Sequence, residues 1–209
     1  MNGAELKVKI CGITNIEDAL ICAEYGADAL GFIFYEKSKR FITFGKAAQI
    51  IHKLPPLMMK VGVFVDDEFE VINHVASKMG LNAVQIHSEE PPEYISKIVH
   101  PVIKTFRVSD QFNWKQLDAY NNCSLLLDTY SPNEIGGTGK SFDWNAIPNE
   151  YRSKIILSGG ITINKLETIF SEIKPSAIDL SSALESMPGK KDHQKVKHFL
   201  NKFNQLRSK

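Results

Sequence analysis

Eight short apolar runs punctuate the chain: LKVKIC (6–11), DALGFIF (28–34), MMKVGVF (58–64), NAVQIH (82–87), PVIKTF (101–106), CSLLLD (123–128), SKIILS (153–158) and SAIDLS (176–181). Most are nearly continuous in Val, Ile, Leu and Phe, the pattern of parallel strands covered on both faces and not of half-wet antiparallel ones. Parallel neighbours need crossovers, and the segments between the runs supply them. Ile16, Ala19, Leu20 and Ala23 recur at helical spacing, as do Val71, Ile72, Val75 and Met79. Thr14 with Glu17 predicts a capping box at the start of the first helix, and Asp67 with Glu70 a variant of it at a later one. Gly26 and Gly80 stand where helices end.

The strand centres are spaced by about 24 residues, close to the minimum for a strand, a helix and two short loops. Eight βα units of that size predict an α/β fold, a closed (β/α)8 TIM barrel occupying residues 1–209 as a single domain. An open doubly wound sheet of eight strands satisfies the same periodicity, but a barrel uses all eight without leaving edges. The longest loop, about residues 129–142, is rich in Gly, Thr and Ser, and loops of such length in compact domains are often functional.

Composition narrows the classes. With 25 Lys+Arg against 24 Asp+Glu the formal charge is +1, so no broad footprint for nucleic acid or an anionic membrane is expected, and any anion site is local. Cys11, Cys22 and Cys123 are odd in number and lack CxxC spacing, which argues against a disulfide framework and a cysteine-rich zinc site. No signal-type h-region or membrane-length apolar stretch is present. The expectation is a cytoplasmic protein.

In barrels of this kind the chemistry lies at the C-terminal ends of the strands. Those positions hold Cys11-Gly12, Ser38-Lys39-Arg40, Asp66, Gln85 with His87, Arg107, Asp128, Ser158-Gly159-Gly160 and Ser181-Ser182. LSGGIT and DLSSALE, after strands 7 and 8, each precede a helical start, and glycines beside free helix-terminal amides suit a phosphate. Gly159-Gly160 alone also reads as a plain tight turn. Cys11 reads either as core or as a thiol for base or nucleophilic work, while Cys22 and Cys123 read as core. Asp128 emerges from an apolar strand, where desolvation raises a carboxyl toward the range of a general acid; the alternative is a loop-bracing aspartate. Arg40 suits a carboxylate, or a solvated basic loop beside Lys37 and Lys39. His87 has no second ligand at metal spacing and reads as a hydrogen-bonding residue.

Beyond these single positions, KICGIT (9–14), GFIFYEKSKR (31–40), KVGVFVD (60–66), VQIH (84–87), LLLDT (125–129), GGTGKSFDW (136–144), LSGGI (157–161), IDLSSALE (178–185) and PGKKD (188–192) together resemble the N-(5′-phosphoribosyl)anthranilate isomerases of tryptophan biosynthesis, over nearly the whole chain. The resemblance implies an Amadori rearrangement of phosphoribosylanthranilate to 1-(2-carboxyphenylamino)-1-deoxyribulose 5-phosphate, without metal or organic cofactor. It implies Asp128 as general acid and Cys11 as general base. Substrate binding would fall to Arg40 for the anthranilate carboxylate, to His87, to Gly159, Gly160, Ser181, Ser182 and Ala183 around the phosphate, and to Gly137 with its loop closing over the ligand. The chain departs from the family pattern at Ala183 and Ser88, where glycine is usual, and at Phe44, where proline is common; a positive φ at Ala183 would crowd the phosphate turn. Another sugar-phosphate barrel, or one that binds a phosphorylated ligand without turnover, is the competing reading. The expected partner is the small-molecule substrate, with the chain a monomer or homodimer.

Overall fold

A computed structural model describes residues 5–129 and 142–209. Eight parallel strands, β1 (Lys7–Cys11), β2 (Ala29–Ile33), β3 (Met59–Phe64), β4 (Ala83–Ile86), β5 (Val102–Val108), β6 (Ser124–Thr129), β7 (Ile155–Leu157) and β8 (Ala177–Leu180), pair in chain order. β8 returns to pair with β1, placing Asp179 opposite Lys9, and so closes the expected barrel. All eight apolar runs are strands, with ends shifted by a residue or two; the two-residue shifts carry β5 through Arg107 to Val108 and start β7 at Ile155.

Alternation along each strand divides the side chains between two cores. Val8, Ile10, Leu30, Phe32, Val84 and Leu127 join the large core beneath the helices, whereas Ala29, Val61, Ala83, Ile103 and Leu126 form a separate small cluster with Ile156 inside the barrel. One register step nearer the strand C-termini the interior turns polar. Lys9 Nζ lies 2.9 Å from Asp179 Oδ1, and Gln85 Nε2 donates to Thr105 Oγ1 at 3.1 Å, all four residues being buried. A buried ion pair demands such mutual satisfaction, since either charge alone in this interior is strongly unfavourable.

The crossovers are unequal, which is how the barrel fits a 209-residue chain. α1 (Ile16–Glu24), α2 (Phe44–Ile51) and α3 (Phe69–Met79) are regular helices, but α4 (Pro92–Ile95) is a single turn and β5 is followed by the 3₁₀ segment Trp114–Ala119. After β6 come a 3₁₀ turn at Trp144–Ala146 and the short α5 (Asn149–Arg152); after β7 the chain passes from 3₁₀ (Ile163–Lys165) through α6 (Leu166–Thr168) to a π turn (Ile169–Ile173). β8 leads into the 3₁₀ turn Ser182–Leu184, then a small antiparallel hairpin, β9 (Glu185–Met187) and β10 (Lys190–Lys191), and the fifteen-residue α7 (His193–Arg207). Among the described residues no helix is long and apolar enough to cross a membrane.

Local signals were partly redirected by distant contacts. Asn15, not Thr14, caps α1, its side chain accepting from Asp18 N at 2.8 Å, because Thr14 Oγ1 donates instead to the carbonyl of Gly189 in the hairpin. α3 starts after Glu68 without a side-chain cap, and Asp67 turns back to accept from Val65 N at 3.3 Å. Gly26 and Gly80 do end α1 and α3, with φ +88° and +65°. Leu20 and Val71, read as core-facing, are 44% and 43% exposed; Cys22 and Ala76 occupy the buried stripes.

Candidate active site

The strand C-termini surround a cavity of about 370 Å³. Cys11, Arg40, His87, Asp128, Gly159, Gly160, Ser181, Ser182 and Ala183 all line it, so residues spread over more than 170 positions converge on one space. Gly137 and most of its loop lie outside the described residues. Cys22 is fully buried in the outer core, as its reading requires, whereas Cys123 is only half-buried at the core's margin, donating to the Tyr120 carbonyl at 3.6 Å. Arg107 is absorbed by Glu89 at 3.0 Å.

Burial sets the electrostatics of the two reactive candidates. Asp128, at the end of β6, is pushed up to about 6 chiefly by desolvation, with Asp179 adding to the effect; the amide of Thr129, donating to Oδ1 at 2.8 Å, and the hydroxyl of Ser158 oppose it. The Cys11 thiol is also raised by burial, against the opposing pull of Lys9. His87 is held down to about 4 by desolvation and by the cations Arg107, Lys9 and Lys104, so its ring is neutral near pH 7. Among the described residues its Nε2 and Gln85 Oε1 are buried and meet no hydrogen-bond partner, and both residues line the cavity. Such atoms are costly to bury unless something polar meets them.

Two glycines permit the tight assembly. Gly12 takes φ +79°, and a Cβ there would lie 2.6 Å from Arg40 Cδ and 3.1 Å from Ser181 Oγ, so its bare face is the track along which the arginine crosses from β2 to β8. Gly159 takes φ +84°, and a Cβ would meet Thr129 Oγ1 at 2.2 Å and Asp128 Oδ1 at 3.1 Å. The Gly159 turn therefore presses directly on the Asp128 carboxyl. Lys165 Nζ fixes the next peptide by donating to the Gly160 carbonyl at 3.0 Å.

Arg40 is tied to Glu185 by two nitrogens, Nε at 2.9 and 3.1 Å to the carboxylate oxygens and Nη2 at 2.8 Å. The same carboxylate accepts from Lys191 Nζ at 3.0 Å, and that ammonium, fully buried, donates also to the carbonyls of Cys11 at 2.7 Å and Ser181 at 3.3 Å. The hairpin is thus a clasp joining the ends of β1 and β8 to the loop after β2. It corrects one expectation: the turn after β8 leads into this hairpin, not into a helix. Ala183 escapes the predicted crowding, because among the described non-glycine residues only Asp66 and Lys174 have positive φ.

Comparison with known proteins decides the family. Residues 8–202 match the family model described as N-(5′-phosphoribosyl)anthranilate (PRA) isomerase. The chain belongs to the phosphoribosylanthranilate isomerase family. A relative of that name from Pelobacter propionicus is 42% identical over 204 residues, covering 97% of this chain and 98% of its own. The crystal structure of phosphoribosyl anthranilate isomerase from Thermotoga maritima superposes with a TM-score of 0.88 at 44% identity, covering 96% of this chain and 99% of the other. A phosphoribosyl anthranilate isomerase solved in complex with reduced 1-(o-carboxyphenylamino)-1-deoxyribulose 5-phosphate gives 0.85 at 43% identity with the same coverage.

For an isomerase of this family, the residue-level reading missed Lys9, Asp179, Glu185 and Lys191. A signal for the first two was present: a charged residue in the middle of a strand covered on both faces has only the barrel interior to enter. Lys9 and Asp179 stand in this way in KVKIC and AIDL. Glu185 and Lys191 had a weaker one, the Pro-Gly pair at 188–189 that makes the hairpin turn.

Proposed function

We propose that this cavity isomerises phosphoribosylanthranilate, the aldose–ketose rearrangement of the family in tryptophan biosynthesis, with Asp128 as general acid and Cys11 as general base. The observation that carries the assignment is the convergence of these two buried groups, from opposite sides of the barrel, on one cavity whose remaining wall is the pair of turns after β7 and β8. Asp128, raised to about 6, holds a useful protonated fraction near neutrality and delivers that proton to the ribose ring oxygen as its bond to C1′ breaks. The nitrogen lone pair forms the C1′ imine. The Cys11 thiolate then takes the C2′ proton, the electron pair moves toward the iminium, and the resulting enolamine tautomerises to the C2′ ketone.

Arg40, its plane fixed by Glu185, receives the anthranilate carboxylate, and the amides of Gly160, Ser182 and Ala183 receive the phosphate with Gly159 and Ser181 shaping the turns. The unpartnered His87 and Gln85 atoms meet polar groups of the sugar. No step needs a metal or an organic cofactor. The test is steady-state turnover of freshly prepared phosphoribosylanthranilate, followed by loss of anthranilate-type fluorescence. Cys11→Ala and Asp128→Asn are each expected to lower kcat by roughly 10²- to 10⁴-fold while unfolding cooperatively. Near-normal turnover in both would overturn the assignment.

A further inference from the structure

A buried thiol is a poor base unless something stabilises its anion, and the surroundings of Cys11 contain one group able to do so. Lys9 lies two residues earlier on β1 and therefore points to the same face. Its ammonium is buried, bound to Asp179 Oδ1 at 2.9 Å, and pulls electrostatically on the Cys11 thiol in the direction of the anion. The neighbouring strand makes room for this meeting. A Cβ built on Gly31, which is paired with Cys11 across β1 and β2, would lie 2.7 Å from Cys11 Sγ and 3.2 Å from Lys9 Cε. Thiol and ammonium side chains thus share one hollow that exists because position 31 lacks a side chain.

We propose that Lys9, clamped by Asp179 and sharing with Cys11 Sγ the hollow over the bare face of Gly31, is the positioning residue that stabilises the thiolate form of Cys11. The inference rests on the reading of Cys11 as the base. The other charged groups around the sulfur do not supply this role. Asp179, from β8, opposes a thiolate; Lys191, from the hairpin, pulls the same way as Lys9 but more weakly, its donors spent on the Cys11 and Ser181 carbonyls and on Glu185; Arg40 is tied to Glu185; Asp128 lies across the cavity on β6, and His87 on β4 is neutral near pH 7. Burial works against the Lys9 ammonium, but Asp179 and Cys11 together outweigh it and hold it charged.

The test reads the thiolate without turnover. Carbamidomethylation by iodoacetamide, in which the thiolate attacks carbon and iodide leaves, is followed at Cys11 by peptide mass across pH in the parent, Lys9→Met, Asp179→Asn and Lys9→Met/Asp179→Asn. Lys9→Met alone strands a buried carboxylate and risks unfolding; the double variant removes both charges, an exchange that buried pairs tolerate. Loss of the ammonium is expected to move the alkylation profile upward by about one pH unit or more in Lys9→Met relative to the parent, and in the double variant relative to Asp179→Asn, which lacks the same opposing carboxylate, slowing modification about tenfold near neutrality. kcat at pH 7 should fall by a similar factor with KM little changed. An unshifted profile in the double variant relative to Asp179→Asn would overturn the role of Lys9. Loss of turnover in Cys11→Ala alongside that unshifted profile removes the Lys9 inference alone, whereas an active Cys11→Ala removes the base assignment and leaves the alkylation result standing.

Discussion

Asp128 and Cys11 stand at the same end of the same barrel and are equally buried, each 6% exposed. Desolvation is the largest influence on both, and it raises both. For a carboxyl this is helpful, because the neutral acid becomes available near the working pH. For a thiol it is a hindrance, because the useful form is the anion. The two neighbourhoods differ accordingly. Asp128 is surrounded by the apolar end of β6, one backbone amide and a hydroxyl, while Cys11 has a lysine beneath it and another lysine on its carbonyl. Equal burial makes an acid without further equipment, but a base only with a cation supplied.

The sharpest way to break this comparison is the pH dependence of kcat/KM. The proposed mechanism requires protonated Asp128 and deprotonated Cys11, whose pKa values lie in the reversed order, about 6 for the acid and above the usual thiol range for the base. Between the two, the loss of acid and the gain of thiolate cancel, so the parent profile is expected to be flat from about pH 6 up to the thiol's pKa and to fall on either side of that interval. Asp128→Asn removes the compensating loss. Its residual activity should climb about tenfold per pH unit through the same interval, and a flat profile in that variant would mean that Cys11 is not the group titrating.

Stability gives a second, opposite-signed readout. A carboxyl whose pKa is raised on folding favours the native state only while protonated; that contribution is complete below about pH 4 and is lost as pH rises through about 6. A shift of this size is worth about 3 kcal/mol at pH 7. Asp128→Asn is therefore expected to be more stable than the parent at pH 7 by up to about 3 kcal/mol, and equal to it below pH 4. Thermal unfolding at both pH values checks this. A third variant tests how closely the acid is held: Gly159→Ala, forced to positive φ and driven toward Thr129 and Asp128, is expected to lose about 1–3 kcal/mol and about tenfold in kcat, measured by denaturant titration and the fluorescence assay. The smallest effect belongs to Ala183→Gly, which restores the glycine usual in the family. With no positive φ to relieve, it should cost about 0.5–1 kcal/mol and leave KM within about twofold.

The strands and the reactive pair were legible because each depends on local pattern: an apolar run declares itself, and a cysteine or aspartate closing such a run at the rim is conspicuous. The clasp around them was not. Lys9 acquires its meaning from Asp179, which lies 170 positions away, and the Cys11 carbonyl from Lys191, 180 positions away. Thr14 had the sequence context of a cap and lost that role to Gly189. Where local preference and a distant partner compete for one hydroxyl, only the assembled barrel shows which prevails. Arg40 was placed correctly at the cavity, but its restraint by Glu185 depended on a hairpin whose two strands are only three and two residues long, too short for periodicity to register.

The clasp also sets an order of events during synthesis. Lys9 and Cys11 leave the ribosome before the groups that neutralise the one and anchor the other, which follow roughly 10–30 s behind at ordinary elongation rates. During that interval the first strand has no favourable place inside a barrel, since an unpaired ammonium resists burial. The nascent chain is thereby kept from sealing a seven-stranded barrel around its own amino-terminal strand, and closure waits for the strand that brings Asp179.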